Sequence, residues 1–396
     1  MPKREKVGAD PTIPGVPFLL KQSKKILFVF GTRPEAIKLC PVVQHLAARR
    51  TDFDVRVCVT GQHRQMLDQV LATFQVTPDH DLNVMLTGQT LFQSTSRILA
   101  ALEPVVGAET PDMVLVQGDT TTTFCGALAA FYSKVPVGHV EAGLRTGDLQ
   151  QPFPEEMNRV LTSRLTALHF AATEGAVANL RREGVPADHI TLTGNSGIDA
   201  VLYVRSRLEN GELYGRDWSE LDPKRKLIAV TGHRRESFGS GFEHICKALA
   251  RLADRDDVQI VYPVHPNPNV QEPVRRLLAK RQNVLLTEPL DYVPFVDLMR
   301  RARFLLTDSG GIQEEGPSLG KPILVMREKT ERPEAVHAGT VRLVGTDEEK
   351  IITEAGILLD DEAEYQRRSR VHNPYGDGHA SERIADAILG FFARVR

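Results

Sequence analysis

Acidic and basic side chains are concentrated in the segment from Gly138 to Arg159, where they follow the apolar run VPVGHV. The segment carries Glu141, Asp148, Glu155 and Glu156 together with Arg145 and Arg159. Ligands of open α/β sheets bind outside the carboxyl ends of the strands, so carboxylates that follow a buried strand are candidates for general acid and base catalysis. A solvated loop held by ion pairs is an equally good interpretation of this segment taken alone.

Asp119 and His233 also follow apolar runs. Asp119 comes after MVLVQG, and its carboxylate suits a base, a hydroxyl-binding group or the N-cap of the next helix. His233 comes after KLIAVTG beside Arg234 and Arg235, which indicates ligand binding or acid/base chemistry. His265 in YPVHPNPN has a similar position, although two prolines make a rigid loop a sufficient explanation.

An anion site is predicted at FGTRPEAIK, where Thr32 can cap a helix that has Pro34 in its first turn. The donors of that helix N-terminus, with Arg33 and Lys38, suit a diphosphate. The glycine-rich dinucleotide fingerprint and the Walker pattern are both missing, so a capped helix with surface charges is the alternative.

A second anion site is predicted at LLTDSGGIQEEG. Gly310 and Gly311 allow backbone amides to approach a phosphate closely, and the Ser309 hydroxyl can donate as well. Glu315 lies one helical turn further on, where its carboxylate can accept hydrogen bonds from ribose hydroxyls. A glycine turn that serves only compact packing is the alternative.

Short apolar runs alternate with helical patterns from Lys25 onward, and a second alternation starts at KLIAVTG. Unbroken runs rich in Val, Ile and Leu between helices predict parallel sheets covered on both faces. With 396 residues, the chain is long enough for two domains with a cleft between them. We therefore predict an α/β protein with two Rossmann-like domains, preceded by a poorly ordered lead over residues 1–23.

The composition limits the classes of partner. Forty-nine Lys and Arg against 51 Asp and Glu give a net charge of −2, which argues against nucleic acid and anionic membranes as partners. The four cysteines are far apart and none forms a C-x-x-C pair, so neither a disulfide framework nor a metal knuckle is indicated. A reduced cytoplasm fits best. The first 24 residues lack the apolar core of a signal peptide or of a membrane span.

Nine motifs taken in order resemble the non-hydrolysing UDP-N-acetylglucosamine 2-epimerases. They are FGTRPEAIK, GDTTTT, HVEAGLRTGD, PFPEEMNR, GNSGID, VTGHRRESFG, PVHPNPNV, TDSGGIQEE and KPILVMREKTERPEA, and the match continues to the tail NPYGDGHASERI. The resemblance implies the glycosyltransferase B arrangement, with the active site between two domains. It places the domains at 24–195 and 196–372, and a helix within 373–396 that returns to the first domain.

The resemblance also implies roles for individual residues. Asp119, Glu141 and Glu155 would be the acid/base carboxylates, with His233 beside them near the diphosphate. The substrate contacts implied are Arg33, Lys38, Phe295, Ser309, Gly310, Gly311, Glu315 and Arg332. Some members of the family have Gln where Leu290 stands, so a polar contact is not expected there.

The implied reaction is reversible epimerisation at carbon 2, by anti elimination of UDP, a 2-acetamidoglucal intermediate and re-addition of UDP. It requires no nicotinamide, other cofactor or metal. Bacterial members can bind a second UDP-N-acetylglucosamine as an activator, and members are commonly homodimers. The residues that resemble the second site are Gln62, His63, Gln65, Arg234, Arg235 and His265.

Four other functions fit the same motifs. A hydrolysing epimerase would add water to the intermediate and release UDP and N-acetylmannosamine. An epimerase of a modified UDP-sugar, such as a diacetamido uronate, would keep the same nucleotide contacts. A glycosyltransferase of the same architecture would need an acceptor groove. A silent UDP-sugar sensor would be expected to lack one of the carboxylates, and all of them are present.

Overall fold

The computed structural model describes residues 23–61, 64–86, 88–370 and 372–394, without the side chains of 64 and 65. These residues form two sheets, and every strand pair within them is parallel. The predicted α/β class with two parallel sheets is confirmed. The predicted lead falls, except for Ser23, outside the described residues.

The first sheet has seven strands in the order β3-β2-β1-β4-β5-β6-β7. Its strands are β1 Lys24–Phe30, β2 Phe53–Val59, β3 His80–Asp81, β4 Met113–Gln117, β5 Val137–Ala142, β6 Leu168–Ala171 and β7 Ile190–Leu192. The helices of this part are α1 Arg33–Ala48, α2 Arg64–Thr73, α3 Leu91–Glu109, α4 Thr121–Tyr132, α5 Glu155–Leu165, α6 Glu174–Arg182 and α7 Ser196–Glu209.

The second sheet has six strands in the order β10-β9-β8-β11-β12-β13. Its strands are β8 Lys226–Thr231, β9 Val258–Pro263, β10 Val284–Thr287, β11 Phe304–Thr307, β12 Ile323–Val325 and β13 Val341–Leu343. The helices are α8 Ser240–Leu252, α9 Pro268–Leu278, α10 Tyr292–Arg301, α11 Gly310–Glu315, α12 Pro333–Ala338, α13 Glu348–Asp360, α14 Glu362–Ser369 and α15 Ala380–Arg394.

The central strands are buried on both faces, as their unbroken apolar sequences require. In β1, the residues from Ile26 to Phe30 are fully buried, and β1 pairs in register with β2 and β4. The strand order reverses between β1 and β4 in the first sheet and between β8 and β11 in the second. Such switch points leave a crevice at the carboxyl ends of the two strands, where ligands of open α/β sheets bind.

The last part of the chain connects the two sheets. α15 packs against α1 and α7 and also contacts β6 and β7. In the preceding segment, Asn373 donates to the carbonyl oxygen of Glu314 at 2.7 Å, and the carbonyl oxygen of Tyr375 accepts from the N–H of Asn195 at 2.7 Å. α7 contacts α1 on one side and α10 and α11 on the other. The domain boundaries at 195/196 and 372/373 stay predictions.

Candidate active site

A cavity of about 470 Å³ lies where the two switch points meet. α1 contributes Arg33 and Lys38 to its wall, and His233, Ser309 and Glu315 come from the loops and helices that follow β8 and β11. Residues of both halves of the chain therefore line one cavity.

Glu35 organises the loops beneath this cavity. Its carboxylate completes a capping box on α1, because it accepts the N–H of Thr32 at 2.7 Å while Thr32 caps the N–H of Glu35. It also accepts from the N–H of Gly31 at 3.0 Å and from the hydroxyl of Thr120 at 2.7 Å. Burial raises the pKa of Glu35. The sequence analysis missed this residue, although a Thr followed by Glu three positions later is the signal of a capping box.

Glu141 has an unusual backbone conformation for a residue with a side chain. Its φ is +63°, in the left-handed region, and the register of β5 against β6 shifts between Val140 and Ala142. This bulge turns the carboxylate towards Lys38 and Gln117, which both donate short hydrogen bonds to it. Burial raises the pKa of Glu141. A strained backbone that aims a buried carboxyl group is typical of a functional site.

Glu314 joins the two halves of the site. Lys38, which holds one oxygen of Glu141, lies 4.0 Å from an oxygen of Glu314 on α11. Glu314 also accepts from Arg332 at 2.8 Å and from the side chain of Asn195 at 2.9 Å. Burial would raise the pKa of Glu314, but Arg332 and Lys38 outweigh burial, and the pKa is lowered. The sequence analysis gave a role to Glu315 and missed Glu314 and Asn195.

Asp119 is held by an ion pair rather than used as a cap. Arg159 donates to its carboxylate at 2.5 Å, and the side chain of Asn158 donates to its carbonyl oxygen at 2.9 Å. Thr120 caps α4 instead, because its hydroxyl accepts the N–H of Thr123 at 3.1 Å. The alternative interpretation of Asp119 as the N-cap of α4 is therefore wrong.

The two neighbouring glutamates of α5 have different environments. Glu156 is buried and accepts the N–H groups of Thr146 and Gly147 at 3.0 Å each, which fixes the loop after β5. Glu155 is half-buried at the start of the helix. Within the described chain, Glu155 makes no hydrogen bond or ion pair with Asp119, Glu141 or His233. The structure thus joins Glu141 to Lys38 by an ion pair that does not include Glu155.

His139, which the sequence analysis also missed, supports the loop that carries Asp119. It is fully buried, and burial lowers its pKa to about 3, so the ring is neutral. Its Nε2 lies 2.7 Å from the carbonyl oxygen of Gly118, which has a φ of +73°. A hydrogen bond from the ring therefore holds a turn whose backbone favours glycine.

His233 lines the same cavity as Arg33 and Lys38 of α1. Asp308 accepts the backbone N–H groups of His233 and Arg234 at 2.7 Å each, and its other oxygen lies 3.5 Å from Nδ1 of His233. The rings of His233 and His265 stack with their centroids 5.3 Å apart and their planes at 15°. His265 thus belongs to the cavity wall beside His233.

The predicted nucleotide contacts line the other part of the cavity. Glu315 and Phe295 are on its wall, and burial, with Glu314 close by, raises the pKa of Glu315 to about 8. In the described part of the chain, the carboxylate of Glu315 makes no hydrogen bond. A Cβ on Gly310 would lie 3.2 Å from Cζ of Arg332, whereas one on Gly311 would meet open space. Glycine at 310 therefore allows the close approach of Arg332.

The residues predicted to form a second sugar-nucleotide site are only partly described. Gln62 and His63 lie outside the described residues, as does the side chain of Gln65. Arg234 lies 3.6 Å from Glu331, and Arg235 is exposed. Over the described ranges, no group of three or more His, Cys, Asp or Glu side chains is placed to hold a metal ion, and no helix is long and apolar enough to cross a membrane.

Comparisons with known proteins give one consistent result. A family model described as UDP-N-acetylglucosamine 2-epimerase matches residues 45–389. A UDP-N-acetylglucosamine 2-epimerase of Salmonella typhimurium is 58% identical over 372 residues, which cover 93% of this chain and 99% of that protein.

Solved structures agree. The UDP-GlcNAc 2-epimerase from Neisseria meningitidis, bound to UDP-GlcNAc, is 47% identical with a TM-score of 0.84 and covers 92% of this chain and 100% of that one. The enzyme from Methanocaldococcus jannaschii, in complex with UDP-GlcNAc and UDP, is 33% identical with a TM-score of 0.73, covering 93% and 99%. The resemblance indicated by the nine motifs is confirmed, and with it the glycosyltransferase B-like fold: the chain belongs to the UDP-N-acetylglucosamine 2-epimerase family.

Proposed function

We propose that the protein interconverts UDP-N-acetylglucosamine and UDP-N-acetylmannosamine without net hydrolysis. The observation that carries the proposal is the ion pair of Glu141 with Lys38, because Lys38 lines a cavity whose wall also holds His233 and Ser309. A carboxyl group of raised pKa next to a cation suits proton transfer, and the residues of the cavity wall offer donors for a diphosphate.

The chemistry follows from the sugar. The proton on carbon 2 of the gluco epimer is axial and anti to the axial oxygen of UDP on carbon 1. A base takes this proton as the C1–O bond breaks, the C2–H electron pair forms the C1=C2 bond, and the electron pair of the broken bond leaves with UDP. The intermediate is 2-acetamidoglucal. UDP then adds back to carbon 1 while a proton is delivered to carbon 2 from the other face, which gives the manno epimer.

The carboxylates proposed for these proton transfers are Glu141, Asp119 and Glu155. Glu141 is the best supported, because its backbone is strained and its carboxylate is held by Lys38. Asp119 is close enough to raise the pKa of Glu141 electrostatically, after the effects of burial and of Glu314. Glu155 would have to approach the sugar when the cavity closes on the substrate, as loops and domains of many enzymes do on binding.

The departing UDP needs positive charge and hydrogen-bond donors. We assign these to Arg33, His233 and the backbone around Ser309–Gly311, and we assign the ribose hydroxyls to Glu315. Arg33 and Glu315 support this assignment, because both line the cavity and neither makes a hydrogen bond within the described protein. Free donors and acceptors of this kind are available to a ligand.

We further propose that the enzyme is a cytoplasmic homodimer activated by a second UDP-N-acetylglucosamine. All four cysteines are free and buried, which fits a reducing compartment. Large apolar side chains are exposed on the adjacent helices α3 and α4, among them Phe92, Phe131 and Tyr132. Such groups favour association with a second copy. The activator would bind near Arg234 and Arg235.

The test is proton NMR of the purified protein with UDP-N-acetylglucosamine in deuterium oxide. We expect deuterium at carbon 2 in a mixture of the gluco and manno UDP-sugars. Free N-acetylmannosamine with UDP would instead establish the hydrolysing reaction. Absence of exchange would overturn the proposal and leave a modified UDP-sugar or a silent sensor as the next candidates.

A further inference from the structure

We propose that Asp308 is a positioning residue that holds His233 in the tautomer with the proton on Nδ1, so that Nε2 is the nitrogen presented to the substrate. The inference rests on the proposed function only in the use it gives to Nε2. The geometry of the pair stands by itself.

One oxygen of Asp308 is fully used by the backbone. Oδ2 accepts the N–H groups of His233 and Arg234 at 2.7 Å each, which fixes the turn after β8. Asp308 is 2% exposed, so this carboxylate has almost no access to water. The two backbone N–H groups account for the position of Oδ2, but they give no reason for the burial of Oδ1.

Oδ1 of Asp308 is buried and makes no hydrogen bond within the described chain. A buried carboxylate oxygen without a donor costs free energy, so a donor is expected within reach. Nδ1 of His233 lies 3.5 Å from this oxygen and is the candidate donor. Hydrogen bonds of catalytic groups are often long before substrate binds and shorten in the complex. A proton on Nδ1 would satisfy Oδ1.

His265 holds the plane of the same ring. Its imidazole stacks on that of His233, and its own Nδ1 accepts the N–H of Asn267 at 3.2 Å, which places its proton on Nε2. Burial, and then His233, lower the pKa of His265. His265 therefore stays neutral and does not compete with His233 for a positive charge.

The remaining groups around the ring leave Nδ1 to Asp308. Arg234 points to Glu331, at 3.6 Å. The hydroxyl of Tyr262 on β9 donates to the carbonyl oxygen of Gly232 at 3.0 Å and so secures the residue before His233. With Nδ1–H directed to a carboxylate, the ring is oriented and the neutral ring carries no proton on Nε2, because the partner of one nitrogen sets the state of the other. In the proposed reaction, Nε2 faces the diphosphate of the leaving UDP and donates to it once the ring has taken up a second proton from solvent.

The first test is the tautomer of His233 in the intact protein, read from ¹⁵N chemical shifts of histidine-labelled protein at a pH where the ring is neutral. The spectrum of His233→Asn identifies the signal. We expect Nδ1 to carry the proton in the wild-type protein and Nε2 to gain it in Asp308→Asn. A wild-type ring with its proton on Nε2 would overturn the inference, whether or not the protein proves to be an epimerase.

The second test is a double-mutant cycle on the rate of carbon 2 exchange. Asp308→Asn keeps an oxygen for the two backbone N–H groups and should lower kcat by roughly a hundredfold, the scale of a misplaced general acid. If Asp308 acts through His233, adding Asp308→Asn to His233→Asn changes little. If the two substitutions lower kcat independently, so that their effects multiply in the double variant, Asp308 acts in another way.

Asp199 provides a matched control. It is also buried, and its carboxylate also accepts two backbone N–H groups, those of Ala380 and Ser381, at a place outside the cavity wall. Asp199→Asn tests what the same change does to the fold. We expect it to leave the tautomer of His233 unchanged, and a shift there would mean that the signal reports general loosening of the structure.

Discussion

At the scale of single residues, the structure separates groups of the same type by their surroundings. Glu314 and Glu315 line one cavity and Glu141 pairs with Lys38 on its wall, yet burial raises the pKa of Glu141 and Glu315 while Arg332 and Lys38 hold that of Glu314 down. Carboxyl groups whose environments differ in this way can take different roles in one reaction. The sequence identifies the residue types, but these differences arise from partners far away in the chain.

Glu141→Gln should abolish most of the carbon 2 exchange and leave UDP binding almost intact. The amide keeps the size of the side chain and cannot transfer the proton, so we expect a loss of about a hundredfold to ten-thousandfold in kcat. Exchange is followed by NMR and UDP affinity by calorimetry. Glu243→Gln, in an exposed ion pair with Arg276, is the control. Retention of more than a tenth of the wild-type rate would remove Glu141 from the mechanism.

Glu315 should make the free protein less stable as the pH rises. Its pKa is about 8 in the folded protein against an ordinary value of 4.5, so the folded state holds a proton that the unfolded chain releases. This contribution is fully present below pH 4.5 and is lost as the pH passes 8. Urea unfolding at several pH values should therefore show a shallower decline for Glu315→Gln than for the wild type. Parallel curves would contradict the assignment.

At the scale of elements, the position of most strands and helices follows from the sequence, and the details of their ends do not. The apolar runs predict the strands β1, β4, β8 and β11, and the sequence also predicts Thr32 as the N-cap of α1. The N-cap of α4 does not follow from the sequence alone, because Asp119 and Thr120 are both residues that cap helices well. The contact of Asp119 with Arg159 decides between them. The bulge at Glu141 has no local sequence signal.

Two capping boxes allow the local and the distant effects of a cap to be separated. Glu35→Ala removes an acceptor that serves α1 and also the hydroxyl of Thr120, so we expect a loss of about 2 kcal/mol or more in the free energy of unfolding and a fall in activity. Thr90→Ala removes the exposed capping box of α3 and should cost about 1 kcal/mol without affecting catalysis. Urea unfolding and the exchange assay measure both. Equal activity in the two variants would argue against a role of Glu35 at the site.

At the scale of the whole molecule, the site depends on contacts between residues that are far apart in sequence. Lys38 meets Glu314 across the cavity, and Asn195 joins the same carboxylate from the start of α7. Within its own segment, none of these residues belongs to a local sequence pattern that indicates these contacts. The family motifs predict a cavity between the two halves and name candidate ligand contacts in it, whereas Glu314 and Asn195 gain their importance only from the packing of one half of the chain on the other.

The exposed apolar side chains of α3 and α4 predict that the protein forms dimers. Phe131 is 56% and Tyr132 is 69% exposed, which is unusual for neighbouring aromatic residues on a monomer. Replacing both with Glu should give a monomer of unchanged thermal stability, measured by light scattering after gel filtration. Tyr214→Glu, at an exposed aromatic residue outside these helices, is the control. A double variant that elutes like the wild type would exclude this surface as the interface.

The left-handed backbone at Glu141 implies that this residue costs the protein stability. A non-glycine residue at φ +63° costs roughly 1–2 kcal/mol, which glycine would avoid. Glu141→Gly should therefore be more stable than Glu141→Ala by about 1 kcal/mol in urea unfolding, since both lack the carboxylate and differ in backbone freedom. Natural selection for stability alone would place glycine here. A glutamate at this position is what the proposed proton transfer requires.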